Sequence, residues 1–352
     1  MKITYFLILT FVAIFMNSCE DYGNNCAVYD FPLCSESSGT ILTKAEFFAQ
    51  LPSEKILSFS DENCKHQLVH PDVLFFENRD FGKQFFMAVT PYPKSQDFYE
   101  NPVFLASDNG VDFCELEEGM NPLARAPFGG YNNDTDLSFD EESREFRIFY
   151  QETDISDSQK VVLLRSKNGF DWQRQEVFHL DLSSPNEDLF SLSPTLVKKD
   201  SLNYLFVVNG RGENSIQFLT SENGLSWDKN NRTTIQINKP ENFDFWHIDI
   251  FQNDSTYYLL TNGFFGRENF TNQNLYIGRS TDLLNWELIE EPILKNSKDF
   301  YSSGYIYRSS GIVSGDSLAV WFSYRTEEKF GVFGKAWRVG LKKFSLSEIF
   351  PN

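Results

Sequence analysis

Beyond about residue 40 the chain alternates short apolar runs with clusters of small and polar residues. The runs are four to eight residues long, as in Val161–Arg165, and the breaks between them are rich in Gly, Asn, Asp and Ser. This spacing is typical of β-strands joined by tight turns. One segment predicts a short helix instead, because Thr43 and Glu46 have capping-box spacing ahead of Phe47 and Phe48. We therefore predict an all-β protein with one short helix near its start.

A seven-residue signature recurs four times, each time directly after an apolar run. It begins with Ser and ends with an aromatic residue in Ser107–Phe113, Ser166–Trp172, Ser221–Trp227 and Ser280–Trp286. The copies start 59, 55 and 59 residues apart. Their central Asn-Gly or Asp-Leu pairs suit a turn that needs positive φ. We predict a hairpin in each repeat, with the aromatic ring packed in the core between repeats as a structural element.

A second series lies ahead of the hairpins and has five copies, about 54 to 64 residues apart: His70–Phe75, Thr135–Phe139, Ser193–Val197, His247–Phe251 and Ser309–Val313. A more aromatic run follows each copy. A four-stranded repeat of this length is the size of one propeller blade. We predict a five-bladed β-propeller with four-stranded blades over residues 41–352. A β-sandwich is the alternative, but it gives no reason for a fixed period.

The first residues have the layout of an export signal. Lys2 precedes an apolar run, Ile3–Met16, which is followed by Asn17, Ser18 and Cys19. The run is shorter than the roughly 20 residues that a spanning helix needs. Its end resembles the lipobox of bacterial lipoproteins, which implies that Cys19 becomes the lipidated N-terminus. We expect residues 1–18 to be a lipoprotein signal peptide and residues 19–40 a flexible tether; an ordinary signal peptide is the alternative.

The lipid would anchor the protein in a bacterial cell envelope, at the outer membrane, facing the periplasm or the surface. Four further cysteines follow, namely Cys26, Cys34, Cys64 and Cys114. An exported chain permits two disulfides, and four cysteines allow three pairings that the sequence does not separate. The absence of a Cys-x-x-Cys spacing argues against a zinc or redox role for them.

The charge of the chain narrows the choice of partner. A net charge of −19 argues against nucleic acid or anionic polymers as targets, and a neutral partner is easier to accommodate. The sequence contains no Gly-rich phosphate loop, no His-Glu-x-x-His and no Gly-x-Ser-x-Gly. We therefore look for catalytic and binding residues in the central channel of the predicted propeller.

Polar residues at the starts of the inner strands converge at one end of such a channel. They are His70, Asp72, Asp134, Asp136, Ser191, Ser193, His247, Asp249 and the run Tyr307–Ser310. Three of the five blades thus offer carboxylates. Paired carboxylates carry out glycoside hydrolysis, one as acid and the other as base or nucleophile.

This pattern resembles the five-bladed furanosidase-like glycoside hydrolases, the group of arabinanases, xylosidases and invertases. In that group an Asp starts the inner strand in blades one and two, and a Glu of blade three is the general acid. The resemblance implies that Asp72 is the base or nucleophile and that Asp136 orients and tunes its partners. Blade three departs from the pattern, because Ser191 to Pro194 contains no Glu and Glu187 lies several residues upstream.

The chain is more similar to a bacterial lipoprotein branch of the same propellers. The matching stretches are Met87–Pro93, Glu100–Pro102, Ser193–Pro194, Trp246–Asp249 and Tyr301–Ser303, and the match covers about residues 60–345. In such a branch Glu100, or Asp249 in blade four, would replace the missing acid. We expect no cofactor; some members of the superfamily hold a calcium ion or water in the channel, but the metal signal here is weak.

We predict a monomeric, carbohydrate-active lipoprotein that hydrolyses a glycosidic bond in a neutral poly- or oligosaccharide. The catalytic candidates are Asp72, Asp136, Asp249 and Glu100. The predicted substrate-binding residues are His70, Asp134, Ser193, Trp246, His247, Tyr307 and Arg308. The alternative is a non-catalytic propeller that captures glycans and has lost the acid. A protein-interaction propeller is disfavoured because it has no need of a carboxylate-lined channel.

Overall fold

A computed structural model describes residues 28–37, 40–57, 67–156, 158–266, 269, 272–296, 305–329 and 335–351. Its helices are α1 (Lys44–Gln50) and α2 (Leu346–Ile349). The predicted capping box of α1 is confirmed, because the Thr43 hydroxyl accepts from the Glu46 N–H and the Glu46 carboxylate accepts from the Thr43 N–H. Neither helix in this part of the chain is long and apolar enough to cross a bilayer.

The described strands form five sheets, each one blade of a propeller. Blade one contains β2 (Leu68–Phe75), β3 (Phe85–Pro91) and β4 (Val103–Ser107). Blade two contains β5 (Tyr131–Asp140), β6 (Glu145–Thr153), β7 (Ser158–Ser166) and β8 (Gln173–Asp181). Blade three contains β9 (Ser191–Lys199), β10 (Leu202–Asn209), β11 (Ser215–Ser221) and β12 (Arg232–Thr234). Blade four contains β13 (Gln236–Ile237), β14 (Phe243–Asn253), β15 (Thr256–Phe265), β16 (Asn274–Ser280) and β17 (Asn285–Leu288). Blade five contains β1 (Glu54–Ile56), β18 (Ile306–Ser314), β19 (Ser317–Lys329) and β20 (Lys335–Ser345).

The predicted all-β, five-bladed propeller is confirmed. Blades two, three and five have four strands, whereas blade one has three, and β13 adds a fifth, parallel strand to the edge of blade four. The ring is closed by β1, which pairs antiparallel with β20 from the other end of the chain. Early and late segments therefore share one blade, which protects the ring from opening at an unpaired edge.

The four predicted hairpins form, and side chains close them. In the second copy the Ser166 hydroxyl accepts from the Gly169 N–H at 2.9 Å, and Trp172 Nε1 donates back to the Gly169 carbonyl at 3.0 Å. The same serine bond recurs at the other three copies. Gly169 has φ +81°, which a side chain would disfavour. Leu283 occupies the matching position of the fourth copy at φ 72°.

Apolar side chains fill the spaces between adjacent blades, with one cluster at each of the five interfaces. Phenylalanine dominates the interface of blades one and two, where Phe76, Phe86, Phe139 and Phe146 pack edge to face or tilted with ring centres 5.0 to 5.6 Å apart. Burial of each such side chain contributes about 1.5–3 kcal/mol. The core is thus wedged between blades and leaves the inner strands to line the channel.

Residues 28–37, which we expected to belong to a flexible tether, are packed against blade one. Phe31 is buried in the core, Leu33 pairs with Glu115, and Cys34 forms a disulfide with Cys114. This part of the chain therefore belongs to the propeller. The predicted signal peptide, the lipidation site at Cys19, and Cys26 and Cys64 lie outside the described residues.

Candidate functional site

The inner strands β2, β5, β9, β14 and β18 contact one another in a ring around the channel. Each has a shift of register against its neighbour close to its start. His70, Asp134 and Ser193 lie at three of these bulges with left-handed φ angles of 58°, 57° and 52°. Bulges re-aim side chains, and such backbone strain clusters at functional sites.

Two tiers of side chains follow from the alternation along these strands. The upper tier, at the bulges, contains His70, Asp134, Ser193, His247 and Arg308. The lower tier, two residues further along each strand, contains Asp72, Asp136, Thr195, Asp249 and Ser310. All ten side chains are buried. The predicted catalytic and binding residues are therefore brought together, but at two depths.

The lower tier forms a closed ring of hydrogen bonds between blades. Each member accepts from a backbone N–H one blade further on: Leu137 to Asp72 (2.8 Å), Leu196 to Asp136 (3.0 Å), Ile250 to Thr195 (3.4 Å), Gly311 to Asp249 (3.1 Å) and Val73 to Ser310 (3.0 Å). The last bond returns to blade one. The three predicted catalytic aspartates thus connect neighbouring blades.

The charge of the lower tier is only partly balanced. Arg308 reaches down from the upper tier, with Nη2 3.4 Å from Asp136 Oδ1 and donating to the Pro194 carbonyl at 3.0 Å. Burial raises the pKa of Asp72 and Asp249, and burial together with the charge of Asp72 raises the pKa of Asp136 to about 8. Asp136 therefore retains its proton at neutral pH.

A cavity of about 380 Å³ reaches this trio from the far ends of the inner strands, where Lys44, Asp140 and Lys198 line it. Solvent thus approaches the lower tier from the face opposite the bulges.

The upper tier brings three polar atoms together without hydrogen bonds. Asp134 Oδ1 lies 3.1 Å from His70 Nε2 and 3.3 Å from His247 Nδ1. Within the described residues none of these three atoms has a hydrogen-bond partner, and neither does His247 Nε2. Burial lowers the pKa of both imidazoles well below the usual value and raises the pKa of Asp134 to about 6. A carboxylate thus faces two uncharged rings.

The other polar atoms of His70 and Asp134 are partnered. Asp134 Oδ2 accepts from Gln151 Nε2 at 3.2 Å and from the Ser193 N–H at 2.8 Å. His70 Nδ1 lies 2.7 Å from Thr90 Oγ1, and the Asp134 N–H donates to the same nitrogen at 3.3 Å. Each of these two side chains therefore turns its one unpartnered atom to the point where the three side chains converge.

This convergence has the geometry of a cation site. Two ligand atoms that bind one Zn²⁺ at about 2.0–2.2 Å are separated by about 3.3 Å in a tetrahedral arrangement. The distances from Asp134 Oδ1 to the two imidazole nitrogens match this value, and the three atoms lie within 4.8 Å of one another. Two histidines and one carboxylate are a common ligand set for catalytic transition metals.

Aromatic rings form a wall beside the cluster. The ring of Tyr307 is 5.3 Å from that of His70 and 4.2 Å from that of His247. Trp246 Nε1 donates to the Tyr307 hydroxyl at 3.2 Å, and Trp337 packs 5.1 Å from Tyr307. Trp246 and Tyr307 thus lie where we predicted substrate-binding residues, and Trp337 is an addition that no repeat marked.

Glu100 is a buried carboxyl next to this cluster, on the Nδ1 side of His70. Its Oε1 lies 3.8 Å from His70 Nδ1. Burial, with smaller contributions from Asp97 and Asp134, raises the pKa of Glu100 well above its usual value. The raised pKa favours the protonated form of Glu100, as a proton donor requires.

Two candidate residues have other partners. The Ser193 hydroxyl donates to the Ile248 carbonyl and accepts from the Ile248 N–H, both at 3.0 Å, so it connects blades three and four. Glu187, named above as the nearest Glu to the empty blade-three position, pairs with Lys229 at 2.7 Å. Sequence reasoning did not single out Thr90, although it lies in the matching stretch Met87–Pro93, and it missed Gln151, which lies inside β6 without a distinguishing motif.

No family model matches the chain. A curated relative, the A type blood N-acetyl-α-D-galactosamine deacetylase of Flavonifractor plautii, is 24% identical over 344 residues, which cover 83% of this chain. The chain spans 44% of that relative's length.

Solved structures share the fold. The N-acetylgalactosamine deacetylase from F. plautii, in complex with blood group B trisaccharide, is 22% identical with a TM-score of 0.71 over 84% of this chain and 94% of that one. A thermostable family-43 glycoside hydrolase is 15% identical with a TM-score of 0.56, over 78% and 88% of the two chains. The family-62 α-L-arabinofuranosidase domain of Coprinopsis cinerea is 14% identical with a TM-score of 0.59, over 83% and 97%. The predicted likeness to glycoside hydrolase propellers is confirmed as a shared fold, and these relatives are carbohydrate-active enzymes.

Proposed function

We propose that this protein is a carbohydrate-active hydrolase that removes the acetyl group from an N-acetylated sugar, with a divalent cation held by His70, Asp134 and His247. The observation that carries the proposal is the convergence of three buried atoms without hydrogen bonds in the described part of the chain. The match to a sugar deacetylase over 83% of the chain supports it.

The donor set fits such a cation. Both imidazoles are neutral, so each has a lone pair to give, and Asp134 contributes the negative charge. Binding through Nε2 requires the His70 proton on Nδ1, where Thr90 Oγ1 at 2.7 Å would accept it and the 3.3 Å hydrogen bond from the Asp134 N–H would be lost. When bound, a divalent cation supplies Lewis-acid polarisation of the amide carbonyl.

The other residues have roles in binding and proton supply. In the hydrolysis of an acetamide the oxygen of water bonds to the carbonyl carbon and the C–N bond breaks, so acetate leaves and the departing amine takes up a proton. Glu100, whose raised pKa favours the protonated form and which lies beside His70, is the proposed donor. Trp246 and Tyr307 offer ring faces to a sugar, and the net charge of −19 favours a neutral glycan.

Glycoside hydrolysis by the lower tier is the second candidate, favoured by three neighbouring carboxyls whose pKa values are raised. One observation counts against it: each aspartate holds a neighbouring blade by accepting from a backbone N–H.

The products of the reaction test the proposal. The full chain is treated with chelator, reloaded with Mn²⁺, Zn²⁺ or Ca²⁺, and given N-acetylgalactosamine- and N-acetylglucosamine-containing oligosaccharides. We expect acetate release that depends on the cation, without new reducing ends. Chelator-insensitive release of reducing sugar would establish the glycosidase instead, and saturable binding without any product would establish the glycan-capturing propeller.

We also propose that the protein acts as a monomer anchored in the cell envelope through a lipid on Cys19. The export signal in the sequence supports this, and the Cys34–Cys114 disulfide suits an oxidising compartment outside the cytoplasm. Expression with a labelled fatty acid is expected to mark the wild type and not Cys19→Ala. Equal labelling of both would contradict the anchor.

A further inference from the structure

The carboxylate of Asp134 is held asymmetrically, and this inference about it rests on the proposed function. Oδ2 accepts two hydrogen bonds, from Gln151 Nε2 at 3.2 Å and from the Ser193 N–H at 2.8 Å. Oδ1 accepts none from the described residues and faces His70 and His247. One oxygen is thus tied to the protein, while the other is directed to the point of convergence.

Gln151 is itself held by a second buried glutamine. Gln159 Nε2 donates to Gln151 Oε1 at 2.8 Å, so the Gln151 amide turns its N–H side to Asp134. Both glutamines are buried. They lie on the neighbouring strands β6 and β7, next to β5, which carries Asp134.

The backbone of blade three fixes the orientation of both glutamine amides. The Ser191 N–H donates to Gln159 Oε1 at 3.0 Å, and Gln159 Nε2 donates to the Ser191 carbonyl at 2.9 Å. A reversed Gln159 amide would place N–H against N–H and oxygen against oxygen. Because a backbone amide cannot exchange donor for acceptor, Ser191 fixes the orientation of Gln159, then that of Gln151.

We infer that Gln151, oriented by Gln159 and the Ser191 backbone, is a positioning residue that keeps Asp134 as a one-oxygen ligand directed at His70 and His247. Partners behind a metal ligand orient it, and their loss typically lowers metal affinity about 10–100-fold. Without Gln151, Asp134 Oδ2 keeps only the Ser193 N–H. The terminal carboxylate torsion is intrinsically broad, so Oδ1 would then lose its fixed direction.

The test compares two buried glutamines, one that bonds to Asp134 and one that does not. Gln151→Met removes the donor and keeps the volume, whereas Gln151→Glu keeps the shape without an N–H. Gln84→Met is the matched control, because Gln84 is equally buried but bonds to Leu42 near the start of the propeller. Calorimetric titration with Mn²⁺ and with Zn²⁺ measures affinity, and the absorption spectrum of the Co²⁺-loaded protein reports ligand geometry.

We expect both Gln151 variants to bind these cations about 10–100-fold more weakly, with an altered Co²⁺ spectrum. Gln159→Met should show a smaller loss of the same kind, and Gln84→Met should match the wild type. Wild-type affinity and spectrum in Gln151→Met would overturn the inference.

A crystal structure of metal-free Gln151→Met, or of Gln159→Met if the first variant does not fold, separates this inference from the proposed function. Rotation of the Asp134 carboxylate away from the 3.1 Å and 3.3 Å contacts with the histidines supports positioning. An unmoved carboxylate refutes it. If wild-type protein binds no cation, the proposed function fails while this structural readout still decides the role of Gln151.

Discussion

The two tiers of the channel differ in how their carboxylates are partnered. Strand β5 carries one aspartate of each tier, Asp134 and Asp136, two residues apart, and the side chains of both tiers are buried. In the lower tier Asp72, Asp136 and Asp249 each accept a backbone N–H from the next blade. In the upper tier Asp134 Oδ1 and the facing nitrogens of His70 and His247 have no such partner in the described residues. A buried carboxylate therefore indicates a functional site here only where one of its oxygens has no hydrogen bond.

The free energies involved support this distinction. A buried polar group without a partner costs about 1–3 kcal/mol, and strained backbone at each bulge costs a similar amount. The upper tier has both costs at His70 and Asp134, whereas the lower-tier aspartates are hydrogen-bonded to the backbone of the next blade. A cation bound between the upper-tier side chains would offset both costs.

The largest effect is expected from loss of an upper-tier ligand. We predict that His247→Ala abolishes cation binding and lowers acetate release by about a thousandfold or more, since Lewis-acid stabilisation is worth several kcal/mol. Calorimetry and acetate assays measure both. His179→Ala, at an exposed histidine, is the control; equal activity of the two variants would break the comparison.

The next effect concerns the stability of the lower tier. Asp136→Ala leaves the Leu196 N–H and the Arg308 guanidinium without their carboxylate. Leaving buried donors without their acceptor costs about 1–3 kcal/mol. We therefore expect the free energy of unfolding, measured with denaturant in the presence of chelator, to fall by that amount. Unchanged stability with lost turnover would instead assign Asp136 a catalytic role.

A milder change in the same tier separates the two candidate chemistries. Asp72→Asn keeps an oxygen to accept from the Leu137 N–H and loses only the charge. One altered hydrogen bond is worth about 1 kcal/mol, so we expect acetate release within about tenfold of the wild type. A glycosidase that used Asp72 as base or nucleophile would lose its turnover, which reducing-sugar assays of the same variant would detect.

A further effect is a dependence of stability on pH. The folded-state pKa of Asp136, about 8, lies above that of an unfolded Asp, so the folded state binds more protons between the two values. Its contribution to stability is full at low pH and is lost as pH rises through about 8. Asp136→Asn does not titrate. With chelator present, its melting temperature relative to wild type should rise between about pH 5 and pH 8; a constant difference would show that Asp136 is ionised throughout.

Local and periodic signals made the fold predictable. The Ser-to-aromatic hairpins recur because each blade needs the same turn, and their spacing is enough to count blades. The cap at Thr43 and Glu46 depends on residues three apart and was equally visible. Non-local features were not: the closing pair of β1 with β20, and the partner of Cys34, join segments that share no pattern.

The residues of the site were predictable, but the role of each residue was not. One repeat contains both His70 and Asp72, so the sequence indicates that both face the channel. Which of them is satisfied depends on the amide of Leu137 one blade away. Gln151 is likewise ordinary in sequence, a polar residue within β6, and its importance follows only from contact with Asp134. Local sequence patterns cannot rank such residues because hydrogen-bond satisfaction is a property of the assembled ring.

The central claim is that the unpaired upper tier, and not the carboxylate-rich lower tier, holds the functional cation. Anomalous X-ray diffraction from crystals of the full chain soaked in Mn²⁺ tests this directly. A peak bounded by His70 Nε2, Asp134 Oδ1 and His247 Nδ1 is the predicted result. A peak among Asp72, Asp136 and Asp249, or none at the histidines, would contradict it.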